Sequence, residues 1–262
     1  MTKDNFREKI SVIDKTDSGF TRFKGNIVKG IGHCFHAFFP KRRFALPAYD
    51  PPCREALSLS QIPRKIWQTN FSNQCTLPLI LNYKHNRALS KGFEYHYVST
   101  EEREKYFLTH APMRVASAYK RLTDGAAQAD LWRLVVLYNE GGIYMDIDAT
   151  LAHDLESIIS GKNQVFISNY NEFTNFFLAT SPQNPIFNDF IWMVVGNIEN
   201  YESGSVYDTT GPGALKKVLD EHKIFDFIPH QLVGVQGAFT NEYFQYMDKP
   251  RSKWTYKKTF IR

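Results

Sequence analysis

The stretch from Thr123 to Leu151, TDGAAQADLWRLVVLYNEGGIYMDIDATL, changes its hydrophobic period within two residues, and this constrains the fold more than any other feature of the chain. Thr123 or Asp124 fits a helix N-cap, and Ala126 to Asn139 is dense in Ala, Leu and Val on a helical pattern. Gly141 and Gly142, which tolerate positive φ, end that helix. From Ile143 to Asp148 the residues alternate, so an extended chain places Ile143, Met145 and Ile147 on one side and Tyr144, Asp146 and Asp148 on the other. A helix feeding a strand in this way is the unit of an α/β sheet. The alternation also brings both aspartates to one face, roughly 6 to 7 Å apart at strand rise. Upstream, Asp130 and Arg133 stand three residues apart and project from one face of an otherwise apolar helix.

Two carboxylates so placed can converge on one hard divalent cation, one directly and the other through water or a ligand hydroxyl. Oxygen ligands select Mn or Mg over zinc, and no Cys or His pair with zinc spacing lies nearby. Taken singly, an Asp-X-Asp triplet arises by composition about once in a few hundred residues, and Asp130 with Arg133 also fits a solvated ion pair. The combination is far more specific. Ala129-Asp130-Leu131-Trp132-Arg133-Leu134-Val135-Val136-Leu137, followed by Gly141-Gly142-Ile143-Tyr144-Met145-Asp146-Ile147-Asp148, resembles the signature of the DXD sugar transferases of glycosyltransferase family 32. That family includes fungal outer-chain mannosyltransferases and bacterial capsule and O-antigen transferases, with the large glucosylating toxins as more distant relatives.

The resemblance implies a GT-A type, Rossmann-like nucleotide-sugar-binding domain with a mostly parallel sheet. It implies a metal-dependent hexosyltransferase that retains anomeric configuration, using a UDP- or GDP-sugar and a glycan or lipid-linked oligosaccharide acceptor in surface polysaccharide synthesis. On this reading Asp148 ligates Mn or Mg, Asp146 holds the ribose and the metal shell, and Asp130 and Arg133 grip the donor. Gly142 and Tyr144 lie beside the donor in the same motif. Ile62-Pro63-Arg64-Lys65-Ile66-Trp67-Gln68-Thr69 resembles the opening strand of the family, which implies that Trp67, Gln68 and Thr69 flank the nucleotide base. Asn175 to Pro185 and Thr209 to Leu215 resemble two further elements, and these imply a site-facing Asn175 and a pocket lined by Thr210 and Gly211. Family members often finish with a His shortly before Ser-Trp. Here Arg251-Ser252-Lys253-Trp254 has no close preceding His, so His230 or His222 is left as the candidate third metal contact; we take His230, against an ordinary loop role after Pro229. A toxin-like effector that glycosylates a protein would keep the same site, whereas a non-catalytic carbohydrate-binding protein leaves unexplained why both aspartates, the Asp130–Arg133 pair and the Gly141-Gly142 break stand together.

Charge divides the chain. Residues 1–60 carry 11 Lys or Arg against 6 Asp or Glu, whereas residues 61–262 carry 21 of each. Positive charge gathered at one end, rather than spread over a folded face, argues against nucleic acid as a partner. Within residues 20–43, Ile27, Ile31, Cys34, Phe35 and Phe38 fit an apolar helical stripe among Lys, Arg and His, although Gly25, Gly30 and Gly32 weaken a helix there. Two readings follow: an anchor for an anionic membrane surface, or an extra helix docked on the domain. We therefore expect a basic amphipathic extension over residues 1–60 and a glycosyltransferase domain over 61–262, with residues 1–19 forming a short helix at most. Three cysteines without metal spacing, no secretory pattern and no spanning apolar run suggest a cytoplasmic protein, peripheral on the inner face of the membrane.

Overall fold

The structure, a computed structural model, describes residues 3–54 (backbone alone for 3–18), 60–169, 172–201, 204–223, 227–250 and 259–262. The expected motif at Arg251 to Trp254 lies outside the described residues. In chain order the elements are α1 (Lys3–Phe38), β1 (Phe44–Ala45), β2 (Tyr49–Asp50), β3 (Lys65–Thr69), β4 (Gln74–Cys75), α2 (Leu77–Ala88), β5 (Glu94–Val98), α3 (Thr100–His110), α4 (Met113–Arg121), α5 (Gly125–Glu140) and β6 (Gly142–Met145). There follow β7 (Ala149–Leu151), α6 (Leu155–Ile159), β8 (Gln164–Asn169), β9 (Glu172–Thr180), α7 (Pro185–Glu199), α8 (Val206–Thr209), α9 (Pro212–Glu221), β10 (Phe227–Pro229), α10 (His230–Val233), β11 (Gly234–Gln236) and α11 (Glu242–Gln245).

Local chemistry sets the helix starts. Asp124 caps α5 by accepting from the Ala126 and Ala127 amides, and Ser99 with Glu102 forms a reciprocal capping box on α3. Asn184 caps α7, with Pro185 at its first turn, where a missing N–H costs nothing. Gly141 (φ +65°) and Gly142 (φ +98°) turn the chain from α5 into β6. A side chain at Gly142 would also stand 2.6 Å from the Lys65 carbonyl of the neighbouring strand, so both conformation and space require glycine there.

Seven strands form the main sheet in the order β10-β8-β9-β6-β3-β5-β2. The class is α/β, as expected. The sheet is mixed: β3 runs parallel to β5 and β6, and β10 parallel to β8, while β9 is antiparallel to both β6 and β8 and β2 antiparallel to β5. Only two residues separate β8 from β9 in sequence, too few for the long crossover that parallel neighbours need, so these two strands pair antiparallel. Strand alternation then sorts the core. Trp67, Tyr144, Phe166 and Leu178 pack against α5, α7 and α9, whereas Ile66, Ile143, Met145, Val165 and Phe177 face the layer that holds Leu155, Ile159 and Val233.

The amino-terminal segment is a single 36-residue helix, not a short one followed by another. Its glycines explain why propensity underestimates it. A Cβ at Gly25 would meet the Ala238 carbonyl at 2.0 Å, and one at Gly32 would meet Pro78 at 2.4 Å, so the helix gives up side chains where it packs closest. Lys29 Nζ donates to the Gly237 carbonyl (3.4 Å), and the Leu77 amide donates to His36 Nε2 (3.1 Å). Beyond α1, β2 extends the edge of the main sheet.

Candidate active site

The carboxyl ends of β3, β5 and β6 open onto a cavity of about 460 Å³, where open α/β sheets bind ligands. Strand β6 ends at Met145, and Asp146 to Asp148 form a turn, with the Ala149 amide donating to the Asp146 carbonyl (3.0 Å). The extended alternation expected through Asp148 is therefore replaced by a turn, and the turn, not the strand period, brings both carboxylates to the cavity. Its tightness comes from β7, which must pair with β11, and from the Gly237 amide, which donates to the Asp148 carbonyl (3.0 Å).

Asp130 and Arg133 come from α5, and both are buried. Arg133 Nη2 lies 3.0 Å from Asp130 Oδ1 and 3.5 Å from Asp146 Oδ1, and its Nη1 donates to the Asn175 carbonyl at 2.6 Å. The guanidinium also covers the Tyr144 ring, 4.2 Å from its centroid. A solvated helix-surface pair is thereby excluded, because one buried cation joins two carboxylates, a carbonyl and an aromatic face. Asp130 is fixed further by the Thr210 hydroxyl (2.8 Å) and the Asn175 side-chain amide (3.2 Å). Asp146 accepts from the Tyr144 hydroxyl (2.7 Å) and Gln236 Nε2 (3.2 Å).

The electrostatics leave negative charge incompletely balanced. Burial pushes the Asp130 carboxyl up to about 6 against the pull of Arg133 and the Thr210 hydroxyl. Burial and the neighbouring Asp146 carboxylate push Asp148 up to about 6, opposed by hydrogen bonds from Gln245 and Gln236. Asp146 is raised by burial, while Arg133 and the Tyr144 hydroxyl hold it down. Burial raises Tyr144 well above its ordinary value, so its hydroxyl stays protonated as a donor. Two hard carboxylates, one of them raised by the other, suit a divalent cation such as Mn or Mg. Among the described residues no group of three or more His, Cys, Asp or Glu converges on one point, so further ligand positions would fall to donor oxygens and water.

Of the residues singled out by sequence, Thr69, Asp130, Arg133, Tyr144, Asp146, Asp148 and Gly211 line the cavity. Trp67, Gln68, Gly142, Thr210 and His230 do not. Trp67 shares a sheet face with Tyr144 but lies deeper along β3 than Thr69; its indole N–H donates to the Gly141 carbonyl (2.9 Å) and its ring stacks on His96. Gln68 reaches the Asp146 carbonyl from behind (3.4 Å), and Gly142 lies at the opposite end of β6. Thr210 acts on Asp130 instead of on the pocket wall. His230 is buried, with Nδ1 3.2 Å from the Ser168 carbonyl, on the β8–β10 side of the sheet.

Sequence reasoning missed Arg103. It is 3% exposed, lines the cavity from the first turn of α3, and donates to the Gly125 carbonyl (3.3 Å) and the Thr100 hydroxyl (3.0 Å). Its Nε has no hydrogen-bond partner among the described residues, and burial lowers its pKa. Its place in the helix turn just after a strand end was the available signal. Gln236, Gln245 and Tyr246 also line the cavity, brought there from the far end of the chain without any sequence pattern.

Residues 79–165 match the family model described as a glycosyltransferase sugar-binding region containing a DXD motif. The match covers about a third of the chain and contains all four charged site residues, and it supports glycosyltransferase as the enzyme class. Among solved structures the chain is similar to the PaToxG glycosyltransferase, with 16% identity and a TM-score of 0.49 over 78% of this chain and 79% of that one. It is also similar to the glycosyltransferase domain of the YGT toxin. The ligand-free form gives 15% identity and a TM-score of 0.40 over 56% of this chain and 54% of that one; the UDP-bound form gives 14% and 0.40 over 62% and 56%. At these values the likeness says nothing of this chain's donor or acceptor. No curated protein matches the chain.

Proposed function

We propose that this chain is a metal-dependent hexosyltransferase that moves a sugar from a UDP- or GDP-sugar to a glycan or lipid-linked oligosaccharide in surface polysaccharide synthesis, retaining the anomeric configuration. The observation that carries this reading is the buried Arg133 guanidinium tying Asp130 to Asp146, beside Asp148, inside the cavity. Asp148 with Asp146 would hold Mn or Mg, which when bound supplies Lewis-acid neutralisation of the donor diphosphate. Asp130, oriented by Thr210 and Asn175, accepts hydrogen bonds from donor hydroxyls, and Arg133 fixes the carboxylates and faces the donor's oxygens. Arg103 offers its free Nε–H to an anionic oxygen, and Thr69 lies at the strand end where a nucleotide base would rest. Free thiols at Cys34, Cys53 and Cys75 agree with a reducing, cytoplasmic setting.

The test is a screen of UDP- and GDP-sugars for hydrolysis with Mn, Mg or a chelator. One donor should be hydrolysed only with metal, and by wild type but not by Asp148→Asn. Hydrolysis unaffected by chelator, or equal in the variant, would remove the metal assignment. Acceptor class follows by offering the active donor with lipid-linked oligosaccharide or with lysate protein.

A further inference from the structure

Helix α1 has two faces of different use. Thr21, Gly25, Val28, Gly32 and His36 face the domain, while Phe20, Phe23, Ile27, Ile31 and Phe38 are 57%, 60%, 49%, 50% and 81% exposed. At 3.6 residues per turn those five fall within an arc of about 80°, centred about 130° from the docked face. A single exposed hydrophobe is ordinary, but a stripe five residues long down one helix is not. The protein holds this helix by its other face, so the stripe is presented to solvent without being needed for docking.

Charge selects the occupant. Residues 19–43 contain six Lys or Arg and no Asp or Glu. Arg43 pairs with Asp248 and Lys29 reaches Gly237, which leaves Arg22, Lys24, Lys41 and Arg42 exposed. Lys24 Nζ sits 4.3 Å over the Phe20 ring, at the border of the stripe, and Lys41 and Arg42 follow its last aromatics, Phe38 and Phe39. Two copies meeting through this face would set like charges against one another. Apolar side chains flanked by cations instead match a bilayer surface of anionic lipid, where rings enter the acyl boundary and ammonium groups meet phosphates. Among the described residues no helix is long and apolar enough to cross a membrane.

We infer that the outer face of α1 docks the protein on an anionic membrane surface, with the helix lying in the interface plane.

Co-sedimentation of the full chain with vesicles of phosphatidylcholine, with and without phosphatidylglycerol, tests this without any sugar donor. Binding should require the anionic lipid and weaken as salt rises. Phe23→Glu with Ile31→Glu should lower partition at least tenfold, since the two changes remove apolar contact and add repulsion. Lys41→Ser with Arg42→Ser should lower it by roughly fivefold per charge. These positions are exposed, so unfolding curves should match wild type. In a separate Phe38→Trp protein the tryptophan emission should shift to the blue on vesicle addition. Wild type that stays in the supernatant with both vesicle types and gives no shift for Phe38→Trp overturns the inference. So does a concentration-dependent dimer abolished by Phe23→Glu, which would make the stripe a contact between copies.

Discussion

Helix α5 carries Asp130 and Arg133 into the interior, whereas helix α1 carries Phe20, Phe23, Ile27, Ile31 and Phe38 out to solvent. Each departs from the ordinary sorting of side chains, in opposite directions, and each departure costs stability in the isolated protein. Around Asp130 and Arg133 the α5 residues Leu131, Trp132, Leu134, Val135 and Leu137 pack as a normal core, so the charges are set into a rigid frame. On α1 the departure lies on a face the fold does not use. The contrast teaches where to look for a ligand: a buried charge asks for a small polar one, and an exposed apolar stripe asks for a surface.

The largest expected effect is at the charged end of this comparison. Asp148→Asn should lower metal-dependent donor hydrolysis by roughly 10³-fold, the scale of several kcal/mol of lost charge stabilisation. The same change should raise the apo protein's Tm near neutral pH, because it removes a carboxylate that repels Asp146 inside the fold. Activity within a few-fold of wild type, or a lowered Tm, would show that Asp148 is not the strained ligand described here.

Arg133→Met comes next. It leaves the buried Asp130 and the half-buried Asp146 without their cation and should destabilise by about 3–5 kcal/mol, read from denaturant unfolding. Adding Asp130→Asn should restore part of that loss, giving a coupling energy that a surface ion pair would not show. Additive single effects would break the contrast between the two helices at its charged side.

Much of the charged side was legible in the sequence, because it rests on local pattern. The Asp124 cap, the apolar run to Tyr138 and the Gly141-Gly142 break fix α5 and the start of β6 in their own residues. What the pattern missed depends on contacts across the chain. The strand was read too far, through Asp148, because the pairing of β7 with β11 that forces the turn comes from residues some ninety positions later. Trp67 and Thr69 are both set beside the base by the family resemblance, and strand depth, which puts Thr69 but not Trp67 on the cavity wall, has no sequence signature. Gln236 and Gln245 are silent because they reach the cavity from the far end of the chain, and Arg103 is marked only by its place in the helix turn after a strand end. On α1, Gly25 and Gly32 read as helix breakers, while the structure uses them as places of close approach.

A smaller, pH-dependent effect sharpens the comparison. The carboxyls of Asp130 and Asp148 sit at about 6 in the folded protein, above the ordinary unfolded value near 4. A carboxyl raised on folding binds its proton more tightly in the folded state. Its stabilising contribution is therefore complete below about pH 4 and lost as pH rises through about 6. The metal-free protein should gain a few degrees of Tm from pH 7 to pH 5, and Asp148→Asn should flatten that gain. A Tm that instead falls steadily over this interval in both proteins would mean that other groups, not the cavity, set the response.

The smallest effects separate the two faces of α1 and have opposite signs. Gly30 is exposed, and a Cβ there meets nothing within 4 Å, so Gly30→Ala should stabilise by about 0.5–1 kcal/mol through helix propensity alone. Gly25 lies on the docked face, where the added methyl meets the Ala238 backbone, an obstacle that cannot rotate away. Gly25→Ala should therefore destabilise by about 1–3 kcal/mol despite the same gain in propensity. Thermal unfolding of the two single variants reads the difference directly. If both changes stabilise, α1 is not seated on the loop at Ala238, and the identification of its outward face fails with it, because which side chains point to solvent follows from which side is docked.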